Sequence, residues 1–342
     1  MGSTLKQIAE MAGTTKSTVD KVIHDRPGVS EKKRQEIKRL LQEHGYEANP
    51  LAKALNYQKR KMKVAVVLPR VQAALRIRSG IDVVRQDFQS FNIQVEYHDI
   101  GASDADAQAR CLRQLGEEKI SGAVVLPIRS DAVTEEIRRL IELEIPVVIV
   151  NSELALDGIL CYVGQNTLQS GSVAARMLGL FTNGKARIGI ISCHNMLTHE
   201  QREQSFLRSV EKSYPGFSIL ETRYILETPE NAREQTLAML RDHPDIDSVF
   251  ITCGCVPDIC GALAEYQEIS GRASLPRVIC YEKYQEIRDL LRTGQVSCTL
   301  SGGLFMQGRL SMRILFEYLV YDKLPDHKAY YLNNKIMIRE NS

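Results

Sequence analysis

Apolar residues at the start of the chain recur at helical spacing and predict three short helices. The first covers Leu5–Met11 and stops at Gly13, and Thr15 is placed to cap a second helix over Lys16–Ile23. A third helix is expected over residues 31–44. Two short helices that are joined by a tight glycine turn and closed by a third form a helix-turn-helix unit.

A further helical pattern follows at about residues 49–57. Asn49 can cap it, and Pro50 suits the first helical turn. So short a helix is marginal by itself in water, and we therefore expect it to form only against DNA or a second chain. Residues 58–63 then form a basic linker.

From Lys63 onward, short apolar runs alternate with amphipathic helical stretches. The runs predict strands at residues 64–68, 93–97, 122–127, 146–150, 188–192, 218–224, 248–252, 277–281 and 297–300. Repeated strand-helix units with buried strands indicate an α/β fold with parallel sheets covered on both faces. Roughly 280 residues of this pattern favour two lobes over one. Ligands of such sheets bind beyond the carboxyl ends of the strands.

The charge of the chain is unevenly distributed. Its 342 residues carry a net charge of +2, with 44% hydrophobic and 25% charged residues, which is typical of a folded protein. Residues 1–61 hold 13 Lys or Arg and 7 Asp or Glu, a net +6, which leaves −4 for the rest. This split predicts a small head that faces nucleic acid. With no long apolar segment and a charged N-terminus, we expect a cytoplasmic protein.

The eight cysteines lie mostly inside apolar runs and are expected to be buried thiols. The tight group Cys253, Cys255 and Cys260 lacks paired CxxC spacing and a histidine nearby in the sequence, so no metal ion is expected there. No other cofactor is indicated. Motifs of phosphate loops and zinc proteases are missing from the sequence, so an enzyme is a remote alternative and the prediction is that the chain is not one.

Several motifs in the head occur in a specific order. They are TLKQIAEMAG at residues 4–13, STV at 17–19, PGVS at 27–30, GY at 45–46 and NPLA at 49–52. In these motifs the first 60 residues resemble the DNA-binding head of the LacI/GalR family of bacterial repressors. Weaker motifs make the remainder similar to that family's periplasmic-binding-protein-like effector domain. They are GAV at 122–124, IPVV at 145–148, YVG at 162–164, HEQR at 199–202 and RDLL at 288–291.

The resemblance implies a helix-turn-helix head over residues 1–60, with a hinge helix at about 49–57, followed by a two-lobed α/β effector and dimerisation domain over 63–342. The N-lobe is expected at about 63–162 plus 299–326. The C-lobe is expected at about 163–298 plus 327–342.

The resemblance also implies which residues contact DNA. The second helix would place Lys16, Ser17 and Lys21 at base edges in the major groove, with Thr15 and Thr18 near phosphates. The hinge helix would bind the minor groove, and its residues are expected to be Asn49, Ala52 and Leu55. In this arrangement Leu55 wedges between base pairs.

The effector residues implied by position are Arg129, Glu153, Arg202, Tyr281 and Glu282. Carboxylates and an arginine suit sugar hydroxyls, and a tyrosine offers a ring face. The loop after the first strand contains no aromatic residue where the family often has one. Arg70, Arg76 and Arg129 therefore leave open an anionic ligand, such as a sugar phosphate or sugar acid.

The sequence thus predicts a transcriptional repressor that binds a palindromic operator as a homodimer. A small, carbohydrate-like ligand between the lobes is expected to control it. Control by an anionic metabolite or by a protein partner stays open as the alternative.

Overall fold

The computed structural model describes residues 5–23, 28–44, 62–194 and 196–342. The chain divides into two compact units, of which the smaller includes the N-terminal helices. The larger unit comprises Met62–Gln89, Ile93–Leu319 and Leu324–Ser342. No helix in the described part of the chain is long and apolar enough to cross a membrane.

The described head residues form helices in the predicted places. These are α1 (Leu5–Met11), α2 (Lys16–Ile23) and α3 (Glu31–Glu43). Gly13 has a left-handed φ of 56°, which ends α1, and Thr15 Oγ1 accepts a hydrogen bond from the Thr18 N–H at 3.2 Å at the start of α2. Apolar side chains from all three helices form the core: Ile8, Ala9, Ala12, Val19, Val22 and Ile37. The predicted hinge helix at 49–57 lies outside the described residues.

The larger unit alternates strands and helices along the chain, as the sequence pattern predicts. Its strands are β1 (Met62–Pro69), β2 (Ile93–Ile100), β3 (Gly122–Val125), β4 (Val147–Asn151), β5 (Cys161–Gln165), β6 (Ala186–Ser192), β7 (Phe217–Tyr224), β8 (Ser248–Ile251), β9 (Arg277–Tyr281), β10 (Cys298–Ser301), β11 (Ala329–Leu332) and β12 (Lys335–Met337). Its helices are α4 (Gln72–Asp87), α5 (Ala105–Glu117), α6 (Asp131–Glu142), α7 (Thr167–Phe181), α8 (Leu197–Ser213), α9 (Pro229–Asp242), α10 (Val256–Ser270), α11 (Gln285–Arg292) and α12 (Leu304–Tyr321).

The first lobe is built on a parallel sheet with the strand order β2-β1-β3-β4-β5-β11. Helices α4 and α12 cover one face with a core that includes Ile77, Ile81 and Phe316. Helices α5 and α6 cover the other face through Leu112 and Ile137. Because both faces are covered, the inner strands are continuous apolar runs, and this made them predictable.

The second lobe has the strand order β7-β6-β8-β9-β10-β12, in which only β12 runs antiparallel to its neighbour among the described strands. Helices α7 and α8 cover one face, where Phe206 stacks on Phe250 with ring centroids 4.1 Å apart. Helices α9, α10 and α11 cover the other face with Leu240, Ile259 and Leu291.

The chain crosses between the two lobes at residues other than those predicted. Strand β10 pairs with β9 in the second sheet, and β11 pairs with β5 in the first, so residues 299–301 belong to the C-lobe and 329–332 to the N-lobe. Strands β11 and β12 lie at sheet edges. The side chains of β11 are mostly half-buried and two of the three in β12 are exposed, so both strands are less buried than the inner strands. After β10 the chain crosses at Gly302 and Gly303. A Cβ on Gly302 would lie 2.9 Å from the Gln165 side chain, and Gly303 has a φ of 70°.

Candidate functional site

Helix α2 presents polar side chains to solvent. Thr15, Lys16 and Ser17 are exposed, and Thr18 and Lys21 are half-buried. These residues form the N-terminal end and the outward side of the helix, opposite the apolar side chains that pack in the head. Ammonium and hydroxyl donors in this arrangement suit base edges and phosphates. Their contact with DNA stays a prediction.

The other predicted DNA contacts, Asn49, Ala52 and Leu55, lie outside the described residues. Their roles in the minor groove therefore rest on the sequence.

A cavity of about 320 Å³ lies between the lobes, where the carboxyl ends of their parallel strands meet. The first lobe contributes Arg70 and the following loop after β1, and Asn151 at the end of β4. The second lobe contributes side chains that follow β6, β7, β8 and β9. The position agrees with the general rule for ligand sites in parallel sheets, and the volume is that of a small-molecule site, which spans roughly 300 to 1,000 Å³.

Arg202 forms a buried polar cluster in the cavity wall. Its guanidinium donates to the Thr252 carbonyl oxygen at 3.0 Å, to Gln165 Oε1 at 2.8 Å and to Glu282 Oε1 at 3.3 Å. The guanidinium also lies over the Tyr281 ring, 3.8 Å from its centroid. Gln165 ends β5 of the first lobe and the other partners belong to the second, so this side chain joins the two lobes. Among the described residues, Arg202 Nε has no hydrogen-bond acceptor.

Glu282 is held in an unusual backbone conformation at the end of β9. Its φ is 75°, in the left-handed region that non-glycine residues rarely occupy. The Glu282 N–H donates to the Leu300 carbonyl oxygen at 2.8 Å, and Thr299 Oγ1 donates to the Glu282 carbonyl oxygen at 2.6 Å. Burial raises the pKa of the Glu282 carboxyl above its ordinary value, and the nearby Arg202 opposes that rise.

Two predicted effector residues, Glu153 and Arg129, are not among the residues that line the cavity. Glu153 accepts a hydrogen bond from Tyr331 Oη at 2.5 Å, and Arg129 pairs with Glu200. Asn151, with a φ of 66°, turns the chain at the end of β4 and itself lines the cavity. The other predicted effector residues do line the cavity: Arg202, Tyr281 and Glu282. Their contact with a ligand stays a prediction.

Tyr284 is an aromatic side chain of the cavity that the sequence analysis missed. Tyr281 is only 2% exposed, and its ring is covered by Arg202, so it offers little face to a ligand. Tyr284 is partly exposed and lines the cavity from the start of α11. Its position three residues after β9, in the same loop as Glu282, is the signal that could have identified it.

Carboxylates outnumber arginines in the described cavity wall. The lining arginines are Arg70 and Arg202, and the lining acidic residues are Glu227, Asp258, Glu282 and Glu286. Arg76, which the sequence analysis grouped with Arg70, is exposed and does not line the cavity. The wall therefore carries a surplus of negative charge, which disfavours an anionic ligand.

Thiol, imidazole and carboxylate groups meet at the second lobe's side of the cavity. Cys193 follows β6, His199 lies in the first turn of α8, Glu227 precedes α9 and Cys253 follows β8. Strands β7, β6 and β8 are neighbours, so their carboxyl ends bring these residues together. Cys193 Sγ lies 2.8 Å from His199 Nδ1, and Glu227 Oε1 accepts from the Gly254 N–H at 2.7 Å.

The protonation of this cluster is perturbed by its contacts. A hydrogen bond from Cys253 lowers the pKa of Cys193. Burial raises this pKa, and the neighbouring His199 lowers it further. Burial lowers the pKa of His199, but its attraction to Cys193 and their hydrogen bond outweigh that effect and raise it. His199 belongs to a different segment of the chain from Cys253, so the residue spacing around Cys253 does not indicate it.

The comparisons with known proteins match both parts of the chain. Residues 4–49 match bacterial regulatory proteins of the lacI family, and residues 75–323 match the periplasmic binding protein domain. The chain is 27% identical over 281 residues to the HTH-type transcriptional regulator GntR of Pseudomonas aeruginosa, which covers 77% of this chain and 74% of the relative.

Two further relatives extend the comparison. The sucrose operon repressor of Vibrio alginolyticus is 33% identical over 78 residues, which is 23% of this chain and 80% of the relative. A solute-binding protein of an ABC transporter from Burkholderia graminis, solved in complex with D-arabinose, superposes with a TM-score of 0.75. It is 17% identical to this chain, and the match covers 82% of this chain and 96% of the solute-binding protein. At so low an identity the similarity supports the fold alone.

Proposed function

The chain belongs to the lacI family of bacterial regulatory proteins, and from this premise we propose that a small carbohydrate in the interlobe cavity controls its repression of transcription. The relatives named above are transcriptional regulators or share the fold of its effector domain. Because its target is chromosomal DNA, we place the protein in the cytoplasm. The polar cluster around Arg202 in the cavity wall carries the proposal.

The head supports binding to double-stranded DNA. Lys16 and Ser17 are exposed on α2, and the segment 1–61 has a net charge of +6 from 13 basic and 7 acidic residues. Charge of this size gives sequence-independent affinity for duplex DNA, and the residues of α2 add base contacts. We propose a homodimer on a palindromic operator, since two heads related by a two-fold axis match two half-sites.

The cavity wall favours a neutral, polyhydroxylated ligand. Asn151 and Glu282 offer amide and carboxylate groups to hydroxyls, and Tyr284 offers a ring face. The surplus of carboxylates opposes an anion.

The bonds of Arg202 to both lobes can couple ligand binding in the cavity to the affinity for DNA. It bonds Gln165 of the first lobe and Thr252 and Glu282 of the second, so a ligand that changes these bonds changes the relation of the lobes. A ligand controls the protein only if it binds one state better than the other. A typical coupling is about 1–3 kcal/mol, which changes operator affinity about 5–150-fold.

The presence of Arg70 at the cavity wall favours a second candidate ligand, an anionic metabolite. Its exposed guanidinium at the cavity wall suits a phosphate or carboxylate. Calorimetry with neutral monosaccharides, sugar acids and sugar phosphates separates the two. A preference for a neutral sugar supports the leading proposal, a preference for sugar acids or sugar phosphates supports the second, and no binding of any of the three classes contradicts both.

The variant Glu282→Gln tests the location of the site. We expect it to weaken binding of the identified sugar, because a buried carboxylate that accepts hydrogen bonds is replaced. Glu153→Gln is the matched control, since Glu153 is bonded to Tyr331 outside the cavity. Equal affinities of the two variants for the sugar would contradict the assignment of the cavity.

A further inference from the structure

Three side chains with metal-binding atoms converge at the edge of the interlobe cavity. The ligand atoms of Cys193, His199 and Glu227 all lie within 4.8 Å of one another. Cys193 and His199 are buried and Glu227 is half-buried. His199 and Glu227 also line the cavity, so the group has access to solutes through it.

We propose that Cys193, His199 and Glu227 bind a divalent transition-metal ion, with Zn²⁺ as the best match. A thiolate, an imidazole nitrogen and a carboxylate oxygen are the ligand types that Zn²⁺ takes in proteins, and the thiolate disfavours Mg²⁺ and Ca²⁺. Cys193 and His199 follow β6 and Glu227 follows the neighbouring strand β7, so the sheet holds the three residues together whether or not an ion is bound.

The present spacing needs only a small adjustment to hold the ion. With Zn–S near 2.3 Å and Zn–N near 2.0 Å, tetrahedral ligand atoms are roughly 3.3–3.8 Å apart. Cys193 Sγ and His199 Nδ1 are 2.8 Å apart, so the ion would separate them slightly. The ligand atoms lie within 4.8 Å of one another, so the Glu227 carboxylate would move inward to reach tetrahedral spacing.

The surroundings of the group also suit a bound cation. The Gly254 N–H donates to Glu227 Oε1 at 2.7 Å, which orients the carboxylate. Outer contacts of this kind orient metal ligands and tune their affinity.

Three protein ligands leave a fourth position of a tetrahedral ion, and two of the three ligand residues, His199 and Glu227, line the cavity. A hydroxyl, carboxylate or water oxygen in the cavity could complete the coordination, as in zinc sites with an open position. The metal site goes beyond the proposed function, because it stands whether or not the cavity binds a carbohydrate.

The test is a titration of the full-length, reduced and metal-free protein with Co²⁺ alone. The ultraviolet and visible absorption spectrum is recorded at each addition. Co²⁺ bound by a thiolate in a tetrahedral site gives a sulfur-to-metal charge-transfer band and intense visible bands. We expect one Co²⁺ per chain with both features, and displacement by an equimolar amount of Zn²⁺. No charge-transfer band at one equivalent of Co²⁺ would overturn the proposal.

Variants assign the ligands. Cys193→Ser should abolish the charge-transfer band, and His199→Gln and Glu227→Gln should each weaken Co²⁺ binding by at least about tenfold. Cys298→Ser is the matched control, because Cys298 is also buried in the second lobe but lies in β10, away from the group. Circular dichroism verifies that each variant is folded. A band of equal intensity in Cys193→Ser, or its loss in Cys298→Ser, would refute the assignment.

Discussion

Replacing Arg202 with methionine removes a buried cation and leaves its acceptors in place. The guanidinium donates to Thr252, Gln165 and Glu282, and Glu282 is only 8% exposed. Without Arg202 the Glu282 carboxylate keeps its desolvation penalty and loses its partner. Breaking a buried ion pair from one side destabilises a protein by about 3–5 kcal/mol. Because methionine retains packing over the Tyr281 ring, we expect a loss of about 3 kcal/mol in the free energy of unfolding.

The double variant Arg202→Met/Glu282→Gln separates the lost charge partner from lost packing. It removes both charges, so we expect it to be more stable than Arg202→Met by about 1–2 kcal/mol. Urea denaturation followed by circular dichroism measures all of these variants. Arg129→Met is the control, since Arg129 forms an exposed ion pair with Glu200. Loss of this pair is expected to lower the free energy of unfolding by less than about 1 kcal/mol. The reasoning is refuted if Arg202→Met is as stable as the control, or if the double variant is no more stable than the single one.

Further predictions address the head, the hinge, the cavity and the packing of the first lobe. Lys16→Ala should weaken binding to the specific operator by about 1–3 kcal/mol in fluorescence anisotropy at fixed salt, because a base-edge contact is lost. Leu55→Ala should weaken specific binding more than nonspecific binding, and an equal loss on both duplexes would argue against the wedge. The pKa of Glu282 is raised above 4.5, so between 4.5 and the raised value the native state binds more protons and stability falls as pH rises. Glu282→Gln should flatten the pH dependence of unfolding in that window, and an unchanged slope would count against this. Gly80→Ala should destabilise by about 1–3 kcal/mol, because its Cβ would lie 2.0 Å from the Phe305 carbonyl oxygen, whereas Gly261→Ala, with open space at its Cβ, should be neutral or stabilising in thermal unfolding.

The sequence predicted those elements whose physical signal is local. The helix α2 occupies Lys16–Ile23 as expected, because a capping threonine and a glycine turn define its start. The inner strands were also predicted, since parallel strands covered on both faces are continuous apolar runs. The edge strand Ala329–Leu332, whose side chains are mostly half-buried, was not predicted, and this displaced the predicted lobe boundaries.

The cavity was predicted less well because it depends on where separate loops meet. Arg202, Glu282 and Glu153 were all assigned by position, and of these Arg202 and Glu282 line the cavity, whereas Glu153 bonds to Tyr331. Cys193 and His199 are close in the sequence, but Glu227 joins them only because β6 and β7 are neighbours in the sheet. No spacing along the chain indicates that group.

The most direct test of the account is the operator dissociation constant of the full-length protein, measured with and without the sugar that binds in calorimetry. We expect a saturating sugar to change this constant by about 5–150-fold at fixed salt. We also expect Glu153→Gln to keep this response and Glu282→Gln to lose it at the same sugar concentration. An operator affinity that is unchanged at saturating sugar would contradict the central claim.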